Sequence, residues 1–449
     1  MIHRLKAFGA GLAVLVALSA PFAAQADDGW VTLFDGKTTA GWIQRGGQAA
    51  YTVEDGALVG RTVLGEKNSF LSPPKEYADF VLEFEVWVDP KLNSGVQVRS
   101  ASSPGYRDGV VHGYQIEIDP SERAWSGGIY DEQGRGWLVN PKDDPAAQKA
   151  FKVGEWNRYR VEASGDRLRT WVNDVPVSDI TDGMTRSGFI GFQVHQAKEA
   201  GLAVKWRNIR LKELAPVKTG LAPNTLTDAE RGAGWQLLWD GRTPWGWHGL
   251  ATKDFPKDRW AMDGGVLSAV RPPAGAQETN VDIVTDRPYG DFELVADFRL
   301  SPGANSGIKY FVRTDVMADG GQSSVGLEYQ VIDDVGNPDV AQGKGGVRAT
   351  AALYDVYGAA ADKPVKPMGE WNQARVVARG RHVEHWLNGA KVLEFERGSE
   401  DFKKHVAEGK HRVWPGYGEW AEGLVLLQHH GGGVSYRNVK IRELAGPDR

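Results

Sequence analysis

The sequence predicts an all-β protein made of two tandem β-sandwich domains, and three observations lead there. The first is alternation. FVLEFEVWV (Phe80–Val88) and FELVADFRL (Phe292–Leu300) repeat with the two-residue period of a strand that buries one face. The second is turn chemistry. RYRVEASGDRLRTWVNDVPV and ARVVARGRHVEHWLNGAKVLEF read as hairpins turning at Gly165-Asp166, Asn173-Asp174, Gly380-Arg381 and Asn388-Gly389. Asn-Gly supplies the positive φ that a two-residue turn needs. The third is the scarcity of helical periodicity, with Ser399–Lys410 the best helix candidate. Many short strands without interleaved helices pack as antiparallel sandwiches.

The two-domain reading comes from an internal repeat. WVTLFDGKTTAGW (Trp30–Trp42) matches WQLLWDGRTPWGW (Trp235–Trp247), YADFVLEFEVWVDPKLNSGVQVR matches YGDFELVADFRLSPGANSGIKYFVR, and VGEWNRYRVEASGDRLRTWVND matches MGEWNQARVVARGRHVEHWLNG. The matches keep one order in both halves, so the domain is duplicated. The expected division is a first copy over 27–215, a linker over 216–230 and a second copy over 231–445. The joint APVKTGLAPNT (Ala215–Thr225) bears Pro and Gly and has no apolar period.

Composition narrows the function. Among 449 residues, 53 Lys+Arg against 58 Asp+Glu give a net charge of -5, with no electrostatic footprint for nucleic acid or an anionic membrane. Seventeen Trp and 56 Gly suit a turn-rich β protein that stacks flat apolar ligands. Residues 1–26 read as a cleavable signal peptide: basic MIHRLK, an apolar stretch, then Ala24-Gln25-Ala26. A periplasmic or secreted protein, free of the membrane after cleavage, is the expectation. With no cysteine there is neither a lipoprotein anchor nor a disulfide, so each core must suffice alone.

Polar residues recur on matched strands. Glu328 and Gln330 in GLEYQVIDD share a strand face, as do Gln115, Glu117 and Asp119 in GYQIEIDP. A carboxylate beside an amide is kept although the order is exchanged. One such strand is explained by solvation. Two, each flanked by Asn-Ser-Gly and a downstream arginine (Asn93 and Arg99; Asn305 and Arg313), ask for more. Each copy also closes on Gln-x-His, a turn and an aromatic-Arg-Asn triplet: His195 and Arg207 in the first, Gln428, His430 and Arg437 in the second. If these blocks are adjacent antiparallel strands, carboxylate, imidazole and guanidinium converge as base, proton shuttle and anion stabiliser. No His-x-His or His-Glu-x-x-His spacing marks a zinc site, so no cofactor is firmly implied, and a divalent metal would need a weaker, oxygen-rich site. Phosphate-loop and nucleophile-elbow motifs are absent. EIDPSE (Glu117, Asp119, Glu122) fits the E-x-D-x-x-E pattern of laminarinase-like retaining glucanases, but Pro120 disfavours strand continuation and the second copy lacks the triplet.

At these blocks the sequence resembles the domain of unknown function 1080, also called the 3-keto-disaccharide hydrolase domain. NSGIKYFVR, LEYQVIDD, ALYD, GEWN, HWLNG and LLQHHG…YRN are similar to its signature blocks, and NSGVQVRS, HGYQIEIDPSERAWSGGIYDE and RGWL to a second subgroup. The resemblance covers nearly the whole chain after residue 26, twice. It implies a concanavalin A-like jelly roll in each copy and action on glycosides oxidised to a ketone at C3. Combined with the strand-face reading above, catalysis is expected of Glu328, His430 and Arg437 or of Glu117, His195 and Arg207. Substrate contacts would come from Asn305, Arg313, Gln330 and Gln428, or from Asn93, Arg99, Gln115 and Asp119. Departures are Gln428-His429-His430-Gly431 for the family's Gln-Asp-His-Gly, Asn337-Pro338-Asp339 for His-Pro-Asp, and Gln196 where a glycine should follow His195. The second copy is favoured slightly for its glycine turn. A non-catalytic, lectin-like tandem is the alternative, because fold alone does not fix function.

Overall fold

The computed structural model describes residues 29–104, 106–250, 252–271, 281–314 and 325–445. The proposed leader therefore lies outside the described residues. Among them, no helix is long and apolar enough to cross a membrane.

The first copy folds into two eight-stranded antiparallel sheets. The back sheet runs in the order Val175–Thr181, Arg167–Val172, Asn157–Ser164, Phe80–Val88, Ala203–Glu213, Ala57–Arg61, Ala50–Glu54, with Trp30–Thr32 also on Ala203–Glu213. The front sheet runs Gly136–Val139, Ile129–Glu132, His112–Ile118, Ser94–Ala101, Gly188–Val194, Ser69–Ser72, Ile43–Gly46, with Glu76–Tyr77 beside Gly188–Val194. The second copy repeats the plan around Phe292–Leu300 at the back and Asn305–Arg313 at the front. Strand pairing stays within each copy, and each has its own core. This is the sandwich the alternation predicts: Phe80, Leu82, Phe84, Val86 and Val88 all point into the first core, where Tyr159 and Val161 face Phe84 and Leu82 across the ladder.

The turns follow the sequence chemistry. Asn173 and Asp174 both adopt positive φ (48° and 66°), as do Asn388 and Gly389 (47° and 86°), matching the twist of the hairpins they close. The helix forms at Glu400–Glu408, where the Ser399 hydroxyl accepts from Phe402 N at 3.1 Å and Phe402 and Val406, one turn apart, are buried.

One expectation fails. The Gln-x-His and Arg-Asn blocks are not adjacent strands. Gly188–Val194 belongs to the front sheet and pairs with Ser94–Ala101, whereas Ala203–Glu213 crosses to the back sheet and pairs with Phe80–Val88. The second copy crosses in the same way between Leu424–Leu427 and Val434–Glu443. Asn208 (φ 53°) and Asn438 (φ 52°) each sit in a bulge of the back strand. The bulge adds a residue, so Trp206 and Ile209, or Tyr436 and Val439, both reach the core, and the preceding arginine points outward. Asparagine tolerates that backbone. Arg207 lies 2.7 Å from Glu85 and 4.1 Å from the Trp156 ring, and Arg437 lies 3.4 Å from Asp297 and 4.2 Å from the Trp371 ring. Both are outer-surface clamps onto the tryptophan of Gly-Glu-Trp-Asn.

A second correction concerns Arg99. It also occupies a bulge (φ 49°), which turns its side chain inward to 0% exposure. There it donates to Asp79 at 2.9 Å, Ala78 O at 2.7 Å and Gly165 O at 2.8 Å, while Arg186 pairs with the same Asp79. Its counterpart is Phe311 (φ 52°), capped by Arg397 at 3.9 Å; Arg313 stands two residues further along. Arg99 is a buried structural ion, out of reach of any ligand. Replacing Asp79 with Ala would leave that charge unpaired, and urea denaturation should show a loss of about 3–5 kcal/mol.

Candidate functional site

Two front-sheet strands set the geometry in each copy. Gly95 faces Glu117 and Gln97 faces Gln115 across the first ladder; Gly307 faces Gln330 and Lys309 faces Glu328 across the second. Gly95 has no side chain for a steric reason: a Cβ there would lie 2.5 Å from Gln115. At Gly307 it would lie 2.4 Å from Glu328 Oε1. The serine of Asn-Ser-Gly ties the neighbouring strand, Ser94 donating to Gln193 O at 2.7 Å and Ser306 to Gln428 O at 2.6 Å. The asparagine turns to the polar pair. The motif is thus a platform for one polar side chain lying across the glycine.

In the first copy the hydrogen bonds all run toward Glu117, which is only 3% exposed. Gln97 and Gln193 each donate to Gln115 Oε1 at 2.8 Å, and Gln115 donates to Glu117 Oε2 at 3.1 Å. Asn93 and Arg123 donate to Glu117 Oε1 at 2.7 and 3.0 Å. Even so, burial pushes the Glu117 carboxyl up to about 7. Asp119 does not share this role. It follows the strand and accepts from Ser121 N and Oγ, Arg123 Nε and Trp125 N, folding the loop that holds Arg123 over Glu117. Glu122 is exposed in that same turn, off the strand, so the paired strand glutamates of a laminarinase-like site are not assembled.

Above Glu117 opens a cavity of about 550 Å³. Tyr130 and Trp137 form one wall, and Asn68, His195 and Gln196 another. Glu132 lines it too, its carboxyl raised by burial, with Asn68 donating to it at 3.1 Å. His195 is half-buried at the rim, its Nδ1 2.7 Å from Gln196 O. Carboxyl, guanidinium, imidazole and aromatic walls therefore converge here, the guanidinium being that of Arg123 rather than Arg207.

The second copy builds a different centre on the same plan. Glu328 is buried with Lys309 3.7 Å away, and the Gln330 amide lies 3.2 Å from both Asn305 and Glu328. Burial raises the nearby Asp282 carboxyl and lowers the Lys410 ammonium, which sits 4.0 Å from the Tyr354 ring. Gln428 is half-buried with its N–H on Gly307 O at 2.9 Å. His430 is exposed and bridges Asn305 through its backbone, while the preceding His429 reaches Val270 O at 2.9 Å. Among the described residues, metal-ligand spacing occurs at His382, Glu384 and Glu394 on the back sheet, where Lys391 already pairs with both glutamates.

Residues 29–212 and 234–442 each match the family of 3-keto-alpha-glucoside-1,2-lyase-like domains. The chain belongs to that family. This tandem member is 30% identical over 230 residues to the 3-keto-disaccharide hydrolase of Bacteroides thetaiotaomicron, a match covering 47% of this chain and 79% of the relative. A solved structure from Parabacteroides distasonis, provisionally assigned as a glycosyl hydrolase, is 34% identical over 50% of this chain and all of its own, with a TM-score of 0.44. The carbohydrate-binding module CBM66 of Bacillus subtilis is 19% identical, over 38% of this chain and 96% of its own, with a TM-score of 0.29.

Sequence reading missed Gln97, Gln193, Arg123, Glu132, Trp137 and Lys309. Gln193 is the glutamine of the first copy's Gln-x-His block, and Gln97 and Lys309 lie two residues beyond the platform glycine, so strand alternation could have found these three. Arg123, Glu132 and Trp137 depend on loops and on a hairpin partner, which carry no period.

Two tests follow from this geometry. Gly95→Ala should lower stability by about 1–3 kcal/mol, as overpacking does, and displace Gln115. The second uses pH. The native state binds the Glu117 proton more tightly than the unfolded chain, with a pKa of about 7 against 4.5. That contribution to stability is fully present below about pH 4.5 and is lost as pH rises through 7, at up to about 1.4 kcal/mol per pH unit. In paired urea titrations at pH 5 and pH 8, Glu117→Gln should lack this share of the decline.

Proposed function

We propose that this chain cleaves 3-keto-glycosides, using Glu117 to remove the C2 proton. The observation that carries the reading is a buried carboxyl at about 7, in a cavity with aromatic walls and a guanidinium 3.0 Å away. A C3 ketone acidifies the C2–H bond, so a base of that strength, close to the working pH, is well matched. As Glu117 takes the proton, the C–H electrons form a C2=C3 enediolate, and Arg123 is the cation within reach of its oxygen. The enediolate then expels the aglycone from C1 as the C1=C2 bond forms, and the leaving oxygen takes a proton from the His195 side. Water adds at C1, a proton returns to C2, and the sum is hydrolysis. Tyr130 and Trp137 would hold the sugar's apolar face. The family membership and the hydrolase relative support the substrate class, and residues 1–26 support action in the periplasm or outside the cell.

A second reading has its own observation. In the second copy Lys309 stands 3.7 Å from Glu328, so that pair also offers a base beside a cation.

The purified protein should release aglycone from a 3-keto-glucoside but not from the unoxidised parent, and product formed in D₂O should carry deuterium at C2. Glu117→Gln should lower kcat by ~10²–10⁴-fold, and wild-type kcat/KM should rise with pH to a plateau with a midpoint near 7. A collapse in Glu328→Gln alone assigns the reaction to the second copy. Losses confined to KM in both variants replace catalysis with lectin-like binding.

A further inference from the structure

The wall of the first cavity is a hairpin: Ile129–Glu132, a turn at Gln133-Gly134-Arg135, and Gly136–Val139. Tyr130, Glu132 and Trp137 all come from it. Its turn is held by Arg135, whose side chain is 2% exposed. Arg135 pairs with Asp131 inside the hairpin and with Asp182 beyond the back sheet, at 2.7 Å. Its third partner is Asp240 of the second copy, at 2.9 Å. A second contact comes from the same loop, with Trp245 lying 5.9 Å from Arg107. Arg107 in turn donates to Gln133 O at 3.0 Å, and Tyr106 to the same carbonyl at 2.8 Å.

The Asp-Gly turn carrying Asp240 is one of the duplicated blocks. In the first copy Asp35 accepts from Lys37 N and Thr38 N at 2.8 and 3.0 Å, and it is otherwise exposed. Asp240 makes the same turn through Oδ1, accepting from Arg242 N and Thr243 N, and presents Oδ2 to Arg135. The second copy has thus given a local turn residue a further task in its neighbour. We infer that Asp240 and Trp245 are positioning residues for the first cavity, so the second domain forms part of the scaffold of the first domain's site.

The inference rests on the first cavity being the sugar site, and its test separates the two claims. Asp240→Asn is isosteric and keeps the Oδ1 turn while removing the charge facing Arg135. Hydrogen–deuterium exchange on the full chain should show faster exchange across 129–139 and little change across 292–300. KM for a 3-keto-glucoside should rise about ten-fold, with kcat largely kept, because the hairpin supplies walls and not the base. Trp245→Ala, which leaves the buried ion cluster intact, should act in the same direction. Wild-type exchange across 129–139 in both variants overturns the coupling, whatever the substrate. Faster exchange in a protein that neither binds nor cleaves the 3-keto-glucoside upholds the coupling and removes the substrate reading.

Discussion

Each front sheet is organised around the cost of burying a carboxylate at the centre of its polar face, Glu117 in the first copy and Glu328 in the second. An ionised group taken out of water has to be given replacement donors, or it neutralises. The first copy meets this with amides: Gln97 and Gln193 feed Gln115, which feeds Glu117, and Asn93 and Arg123 complete the shell. The rest of the local design follows from it. Gly95 must lack a side chain so that Gln115 can lie flat, Ser94 must hold the adjacent strand, and Asp119 must spend its oxygens on the loop that delivers Arg123. The carboxyl remains raised because the cost of burial outweighs what Asn93, Gln115 and Arg123 return to its charged form. A structural demand thereby leaves a group that titrates near neutrality, as a base in proton transfer should.

Local recurrence and function separate most clearly at the Arg-Asn repeat. A guanidinium kept in register in both copies looked chemical in the sequence. The bulges at Asn208 and Asn438 show why it is kept: the back strand must deliver two large residues, such as Trp206 and Ile209, to the core without the intervening alternation. The arginine is then left outside, where Trp156 or Trp371 and an acidic neighbour hold it. Arg99 makes the same point in reverse, since its bulge turns an apparent surface residue into a buried ion.

These cases mark how far the sequence could be read. Strands, hairpin turns and the helix at Glu400–Glu408 were legible because each is a local pattern with a physical cause within a few residues, and the duplication because those patterns recur in one order. The carboxylate–amide pairs were legible too, because alternation fixes the face they share. What could not be read was sheet membership after a crossover, and any site residue placed by a loop. Residues 195–202 join two strands that the sequence makes look like a hairpin, yet they belong to opposite sheets. Arg123 reaches Glu117 only through the turn that Asp119 folds, and no period announces that.

The exchange of Glu and Gln between the copies has a physical logic of its own. Gln97 and Gln115 are directly opposed across their ladder, and so are Lys309 and Glu328. Directly opposed side chains lie about 4.5–5.5 Å apart at Cβ, and diagonal ones about 7–8 Å. Once a lysine takes Gln97's place, a carboxylate directly opposite stands at the shorter of these separations, whereas one at Glu117's place would stand diagonal to it. A carboxylate opposite the lysine closes the pair, and an amide then suffices at Gln330. The two changes fit each other, and the duplicated sites surround the buried carboxylate differently: a relay of amides completed by Arg123 from a loop in the first copy, a lysine directly across the ladder in the second.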